Sequence, residues 1–146
     1  MLRAFQLFIA ALTLGGGLAF AQPVPAEKKG PSVKVLSAVD VEEEIAGKKA
    51  KATTFEVTFE PGAAGSPHRH PGPIFGYVLE GELEFAVGED KPRTLKAGDT
   101  FYEAAMALHA VSRNPSNKSK TRVLAILLHP RDAEEMVIPE PPKKGK

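Results

Sequence analysis

Apolar and polar residues alternate with a period of two over several stretches of the chain. In residues 52–60, ATTFEVTFE, three apolar side chains share one face: Phe55, Val57 and Phe59. Residues 82–87, ELEFAV, repeat the pattern. Because successive side chains of an extended strand point to opposite sides, this alternation predicts strands that bury one face.

Two further apolar segments predict how such strands are arranged. Residues 74–79, IFGYVL, lead through Glu80 and Gly81 into residues 82–87. This spacing predicts a tight hairpin in which the glycine takes a positive φ. Residues 122–128, RVLAILL, are apolar on both faces, which predicts a central strand that is covered on both sides.

Turn-forming sequences separate these segments at short intervals: EPGAAG, EG, GEDKP, KAGD and RNPSNKS. Residues 104–108, AAMAL, favour a helix but are too few to form one alone. Many short strands joined by regular turns predict an all-β fold, an antiparallel sandwich or barrel.

The first residues follow the pattern of an export signal. Arg3 precedes an apolar run over residues 5–20, which three glycines interrupt, and the sequence AFA closes it at residues 19–21. This pattern predicts a signal peptide over residues 1–21 and a mature chain that begins at Gln22, in the periplasm or secreted. The run is shorter than the roughly 20 apolar residues of a membrane span, so we expect no stable membrane anchor.

The remaining chain has the length of one domain with one core. We predict a polar lead-in over residues 22–31, a single β-barrel domain over 32–138 and a basic, proline-rich tail over 139–146. Without Arg3, 18 basic residues balance 18 acidic ones, so we expect no nucleic-acid partner. Because the chain has no cysteine, an exported fold must be held by its packing or by a metal.

The four histidines suggest a metal site. His68 and His70 are two residues apart, so on a strand their side chains point to the same side. His109, on another strand-like segment, is the candidate for a third ligand. Imidazole suits several divalent metals, and the identity is left open among iron, zinc, manganese, nickel and copper. The competing interpretation is a pair of loop histidines. His129, just before Pro130, is predicted to be a surface or strand-end residue.

The spacing of these residues resembles the two motifs of the cupin superfamily, over about residues 52–129. The matching positions are Gly62, His68, His70 and Gly81 in the first motif, and Gly98 and His109, with Asn114 nearby, in the second. The resemblance implies an antiparallel double-stranded β-helix, also called a jelly-roll barrel. It also implies a homodimer.

The chain departs from the cupin motifs at four positions. The acidic metal ligand of the first motif would fall at residue 74, where the chain has Ile74. The proline, glycine and asparagine of the second motif would fall at Ala104, Met106 and Arg113. The pattern therefore resembles a three-histidine cupin without the usual carboxylate. Some mononuclear iron cupins, among them those that resemble acetylacetone-cleaving, cysteine and gentisate dioxygenases, also bind their metal through three histidines. The missing glutamate therefore does not imply a missing metal.

Several residues are candidates for the surroundings of the metal. Ile74 is predicted to form an apolar wall of the pocket. Glu103 is a candidate fourth ligand, imidazole partner or catalytic acid and base, although a solvated strand-end acid is the favoured interpretation. Tyr77 is predicted to line the pocket, and its hydroxyl and that of Tyr102 are expected near a substrate, with packing as the alternative. Met106 is expected at the pocket mouth or in the core.

Three neutral imidazoles leave the charge of a divalent ion unreduced, which favours small anionic or chelating organic molecules. The resemblance implies a metal-dependent, dioxygenase-like enzyme that acts on such a molecule. The alternative is a binding or storage module in which the metal is structural or only captures a ligand. A third possibility is a degenerate cupin without metal.

Overall fold

The computed structural model describes residues 30–45 and 47–141. The predicted signal peptide, residues 1–21, lies outside the described residues. So do most of the predicted lead-in and residues 142–146 of the predicted tail.

In the described part of the chain, ten strands form two five-stranded sheets in which every pairing is antiparallel. The strands are β1 (Ser32–Ile45), β2 (Lys48–Phe59), β3 (His68–Arg69), β4 (Ile74–Glu80), β5 (Glu82–Val87), β6 (Arg93–Lys96), β7 (Thr100–Glu103), β8 (His109–Arg113), β9 (Thr121–Pro130) and β10 (Ile138–Pro139). Sheet I has the order β1-β2-β9-β4-β7, and sheet II has the order β10-β3-β8-β5-β6. The predicted antiparallel double-stranded β-helix is confirmed. Among the described residues, no helix is long and apolar enough to cross a membrane.

The hydrophobic core lies between the inner faces of the two sheets. Its members are Phe59, Ala63, Ile74, Val78, Leu83, Phe85, Leu95, Phe101, Val123, Ala125 and Leu127. β4, β5 and β9 contribute alternate residues to it, as the period of two predicts, whereas β1 contributes none. Burial of this apolar area is the main term that favours the folded state.

The predicted hairpin between β4 and β5 is wrong. β4 pairs with β7 and β9 in sheet I, whereas β5 pairs with β6 and β8 in sheet II. Gly81 does take the predicted positive φ, 77°, but it turns the chain from one sheet into the other. A side chain there would also approach the carbonyl oxygen of Lys120 to 2.5 Å. Two apolar faces joined by a tight turn can pack against each other instead of pairing side by side.

The strand predicted from residues 122–128 is confirmed as central but not as covered on both sides. β9 lies in the middle of sheet I. Val123, Ala125 and Leu127 are buried between the sheets, while Ile126 on the outer face is exposed, as is its partner Phe75 on β4. The outer apolar residues therefore lie against each other on the surface of the sheet.

Asn114 fixes the loop that precedes β9. Its side-chain amide is buried and donates hydrogen bonds to the carbonyl oxygens of Phe59, Glu60 and Ser119. The asparagine next to the second motif is thus a structural residue that holds two loops together.

Strand register brings the candidate site residues to one region of the interior. On sheet II, His68 of β3 pairs with His109 of β8. On sheet I, Ile74 of β4 pairs with Glu103 of β7. All four residues are among those that line one cavity between the sheets.

Candidate metal centre

The three predicted ligand residues converge in the structure. One nitrogen from each of His68, His70 and His109 lies within 4.8 Å of the others. His68 and His70 are half-buried beside β3, and His109 is buried at the start of β8. The sequence prediction that these residues meet is therefore confirmed.

Backbone carbonyl groups orient two of the imidazoles. Nδ1 of His68 donates to the carbonyl oxygen of Ser66 at 2.7 Å, and Nδ1 of His70 donates to that of Met136 at 2.6 Å. A neutral imidazole that donates through Nδ1 carries its lone pair on Nε2. The two Nε2 atoms are 3.1 Å apart. Two lone pairs at this distance repel unless a proton or a cation lies between them, so the arrangement fits a bound cation.

His109 is buried, and neither of its ring nitrogens makes a well-formed hydrogen bond among the described residues. The backbone of Val111 lies close enough to the ring to oppose the fall of its pKa. Burial, with a smaller contribution from His68 and His70, lowers the pKa of His109 to about 3. Burial also lowers the pKa of His70. Both imidazoles are therefore neutral near pH 7, which is the form that binds a metal.

The prediction that Glu103 is a solvated acid is wrong, because the residue is only 3% exposed. Its Oε2 lies 3.3 Å from Nδ1 of His109 and 4.0 Å from Nε2 of His70, and it has no hydrogen-bond partner among the described residues. Burial raises the pKa of Glu103 to about 7. The alternation of β7, in which Phe101 points inward and Tyr102 outward, is the sequence signal that places Glu103 inside.

Of the predicted pocket residues, the structure brings only Ile74 to the cavity. Ile74 is 3% exposed and lines the cavity wall beside the histidines. Tyr77 is 42% exposed on the outer face of sheet I, and Tyr102 is also exposed there. Neither tyrosine is among the described residues that line the cavity. The prediction that Tyr77 lines the pocket is therefore wrong.

Met106 acts through its backbone. Its side chain is 49% exposed and is not among the described residues that line the cavity, so both predicted positions are wrong. Its φ of 59° is the left-handed conformation that favours the glycine it replaces. Its N–H donates to the carbonyl oxygen of His70 at 2.9 Å, and its own carbonyl accepts from Arg69 at 2.7 Å. The turn thus holds the segment that carries two of the histidines.

His129 is a buried structural residue. It lies near the end of β9, as predicted, but it is 2% exposed, so the surface position is wrong. Nδ1 donates to the carbonyl oxygen of Pro130 at 2.8 Å, which leaves Nε2 to accept from the hydroxyl of Thr53 at 2.9 Å. Both ring nitrogens are occupied, so His129 has no lone pair to offer a metal.

The histidine cluster opens into a cavity of about 440 Å³. Most of its walls are apolar, and its polar side chains are Ser66, Ser112, Glu103 and the three histidines. Val33, Met136 and Val137, from the two ends of the described domain, close part of the cavity. The sequence pattern did not predict these last residues, because they meet the site only through the pairing of β1 and β10.

The fold and this cluster together define a double-stranded β-helix protein with a histidine site suited to a metal. The sequence profile of the cupin domain matches residues 55–127, which is half of the chain. The chain therefore belongs to the cupin family.

Several solved structures share this fold. KdgF from a Halomonas species is 28% identical with a TM-score of 0.51, and the alignment covers 70% of this chain and 80% of that one. A conserved protein with a double-stranded β-helix domain from Klebsiella pneumoniae is 18% identical with a TM-score of 0.56, over 82% and 90%. The DMSP lyase DddQ from Ruegeria pomeroyi is 21% identical with a TM-score of 0.54, over 75% and 53%. No curated protein matches the sequence significantly.

Proposed function

We propose that the chain is an exported small cupin that holds one divalent metal ion through His68, His70 and His109. We propose further that it is a dioxygenase-like enzyme for a small chelating organic molecule. The observation that carries this proposal is the position of the histidine cluster, which opens into an apolar cavity of about 440 Å³.

The cavity wall supports an organic ligand with one chelating edge. Phe55, Val57 and Val123 offer an apolar surface to the body of such a ligand. Among the described residues that line the cavity, none is lysine or arginine. The ion therefore has to neutralise the negative charge of an enolate or carboxylate. This requirement favours a ligand whose charged group binds the ion directly over one whose charged group lies elsewhere in the cavity.

A divalent ion supplies a Lewis acid that orients a chelating ligand and raises its acidity. The chain contributes the surroundings in which this chemistry takes place. Ile74 and Phe101 are buried apolar walls that exclude water from one side of the site. In the proposed reaction dioxygen is the oxidant, and both of its atoms enter the substrate.

A non-catalytic binding module is the second candidate function. Glu103 is the only carboxylate among the described residues that line the cavity, so the site has few groups that can move a proton. Outside the cytosol, zinc or copper is a more available occupant than ferrous iron, and zinc carries no redox chemistry. These two points favour capture of a ligand over its conversion.

Oxygen uptake separates the two functions. We expect the mature chain to purify with, or take up, about one equivalent of divalent metal. The iron-loaded protein should then consume oxygen with at least one class among 1,3-dicarbonyls, catechols and flavonols. Elemental analysis and an oxygen electrode are the measurements, and the His109→Ala protein treated in the same way is the control. A metal-loaded protein that binds members of the panel by calorimetry without oxygen uptake would support the binding module instead.

Export is proposed from the signal pattern of residues 1–21. We expect intact-mass measurement of the protein from its native host to give a chain that begins at Gln22 or within a few residues of it. Retention of Met1 in the mature protein would contradict both the export and the periplasmic or secreted location.

The homodimer that the resemblance implies stays a prediction. β1 is the edge of sheet I and has a strand partner on one side only among the described strands. It also exposes Val33, Val35 and Val39. An edge strand of this kind is a surface that a second copy is able to cover.

A further inference from the structure

We infer that Glu103 is a fourth protein ligand of the metal, and that it supplies from β7 the carboxylate that β4 lacks at Ile74. This inference rests on the proposed metal site and adds to it a donor at a position of the second motif, between Gly98 and His109, that the motif does not specify. It changes the donor set from three nitrogens to three nitrogens and one oxygen.

Strand register places the two positions side by side. Ile74 and Glu103 are Cα partners in the antiparallel pairing of β4 with β7. Directly paired residues project to the same face of a sheet, with their Cβ atoms about 5 Å apart. Both side chains are buried and line the cavity. A carboxylate at position 103 therefore reaches the same part of the interior as a side chain at position 74.

Two distances from Oε2 of Glu103, to His109 and to His70, fit a shared ion. Ligand atoms about 2.1 Å from one ion lie at most about 4.2 Å from each other. Oε2 lies 3.3 Å from Nδ1 of His109 and 4.0 Å from Nε2 of His70. The His70 atom is the one that carries the lone pair, since Nδ1 of that ring donates to Met136. Glu103 thus faces the side of His70 that is available to a metal.

The surroundings of the carboxylate lack any other charge partner. Among the described residues, its salt-bridge contacts are with His70 and His109 alone, and Oε2 accepts no hydrogen bond. A buried carboxylate without a partner is strongly disfavoured. A divalent cation held by the adjacent histidines would supply the missing partner.

A carboxylate that only orients His109 is the competing explanation. In that arrangement Oε2 would accept a hydrogen bond from Nδ1–H, as metal-bound histidines commonly arrange. The two atoms are 3.3 Å apart, yet neither makes a hydrogen bond among the described residues. The approach of Oε2 to His70 is also not explained by an orienting role toward His109. Direct ligation accounts for both contacts.

Ligation by Glu103 narrows the class of substrate. It lowers the charge of the site from about +2 to about +1, which matches a monoanionic chelating ligand better than a dianion. It also removes Glu103, the only carboxylate among the described residues that line the cavity, from the role of free base. The substrate therefore has to arrive ionised or be acidified by the ion itself.

Moving the carboxylate between the two strands tests the inference. The proteins to compare are wild type, Glu103→Gln, Ile74→Glu, and the double variant Ile74→Glu/Glu103→Gln, with Glu82→Gln as a control for loss of an exposed strand carboxylate. The probes are Zn²⁺ affinity, by competition with a chromophoric chelator, and the visible spectrum of the Co²⁺ form. Circular dichroism of each metal-free protein establishes that it is folded.

We expect Glu103→Gln to weaken Zn²⁺ binding by about tenfold or more and to change the Co²⁺ spectrum. The double variant should recover affinity to within about threefold of wild type, because the oxygen donor returns from the paired position. Ile74→Glu alone should raise Zn²⁺ affinity little, since Glu103 already fills the coordination position. Glu82→Gln should have the Zn²⁺ affinity of wild type.

Two results would overturn the inference while leaving the metal site in place. One is Glu103→Gln that binds Zn²⁺ as tightly as wild type with the same Co²⁺ spectrum. The other is an Ile74→Glu protein that binds Zn²⁺ much more tightly than wild type, together with a double variant whose Zn²⁺ affinity does not recover. An orienting role for Glu103 predicts this second result. Absence of Zn²⁺ and Co²⁺ binding by wild type would instead remove the proposed function, and the inference with it.

Discussion

Replacing His109 by alanine is expected to reduce bound metal to a small fraction and to abolish the stabilisation that metal gives the fold. His68 and His70 keep their hydrogen bonds to the backbone carbonyls of Ser66 and Met136. The loss of bound metal therefore reflects the absence of the third donor. A metal bound only by the native state stabilises it by mass action, by about 2.7 kcal/mol at a free concentration one hundred times the Kd. Chemical denaturation with and without metal, together with elemental analysis, measures both effects.

His129→Ala is the matched control for this prediction. It removes a buried imidazole with two hydrogen bonds, so it should lower the stability of the metal-free protein by about 2 kcal/mol. Its metal content and the increment of stability on adding metal should stay those of wild type. Equal metal content in His109→Ala and wild type would contradict the site, as would loss of metal in a folded His129→Ala protein.

Gly72→Ala is expected to destabilise the fold by about 3 kcal/mol or more, even though it adds only one methyl group. The new Cβ would clash with the carbonyl oxygen of Leu128 and would lie 3.0 Å from the Cα of His129. These are backbone atoms of β9, the central strand of sheet I, so they cannot rotate away as a side chain would. Denaturant unfolding of the metal-free protein gives the free energy directly.

Gly72 also lies between His70 and Ile74, so the same substitution should displace the site. Metal affinity of any folded fraction is therefore expected to fall along with stability. Gly30→Ala is the control, because a Cβ there meets no atom of the described residues within 4 Å, and its effect should stay within about 0.5 kcal/mol. Equal stability of Gly72→Ala and Gly30→Ala would show that the approach of this segment to β9 is not as close as described.

The sequence predicts the fold class well because the alternation of apolar residues marks strands directly. It does not predict which strands are neighbours. Residues 74–79 and 82–87 have the pattern of a hairpin, yet they enter different sheets, since the same pattern also suits two faces that pack against each other. The apolar outer face of β9 leads to the wrong prediction that the strand is covered on both sides. Burial of a strand depends on what packs against the sheet, which the local sequence does not specify.

The site could be predicted where spacing alone decides the geometry. His68 and His70 share a face because they are two residues apart, and the motif spacing identifies His109 as the third member. The environment of Glu103 depends on the pairing of β7 with β4, so its burial does not follow from its being a strand-end acid. The sequence predicts that His129 lies near a strand end. It does not predict its burial, because the hydrogen-bond partner of its Nε2 is Thr53 of β2, which is distant in sequence.

Anomalous diffraction from crystals of the metal-loaded mature chain is the most direct test of the three-histidine metal site. We expect one strong peak at the absorption edge of the metal, about 2.0–2.2 Å from a ring nitrogen of each of His68, His70 and His109, with Nε2 as the donor in the first two. A map without a peak among these three histidines, from protein that elemental analysis shows to carry metal, would contradict it.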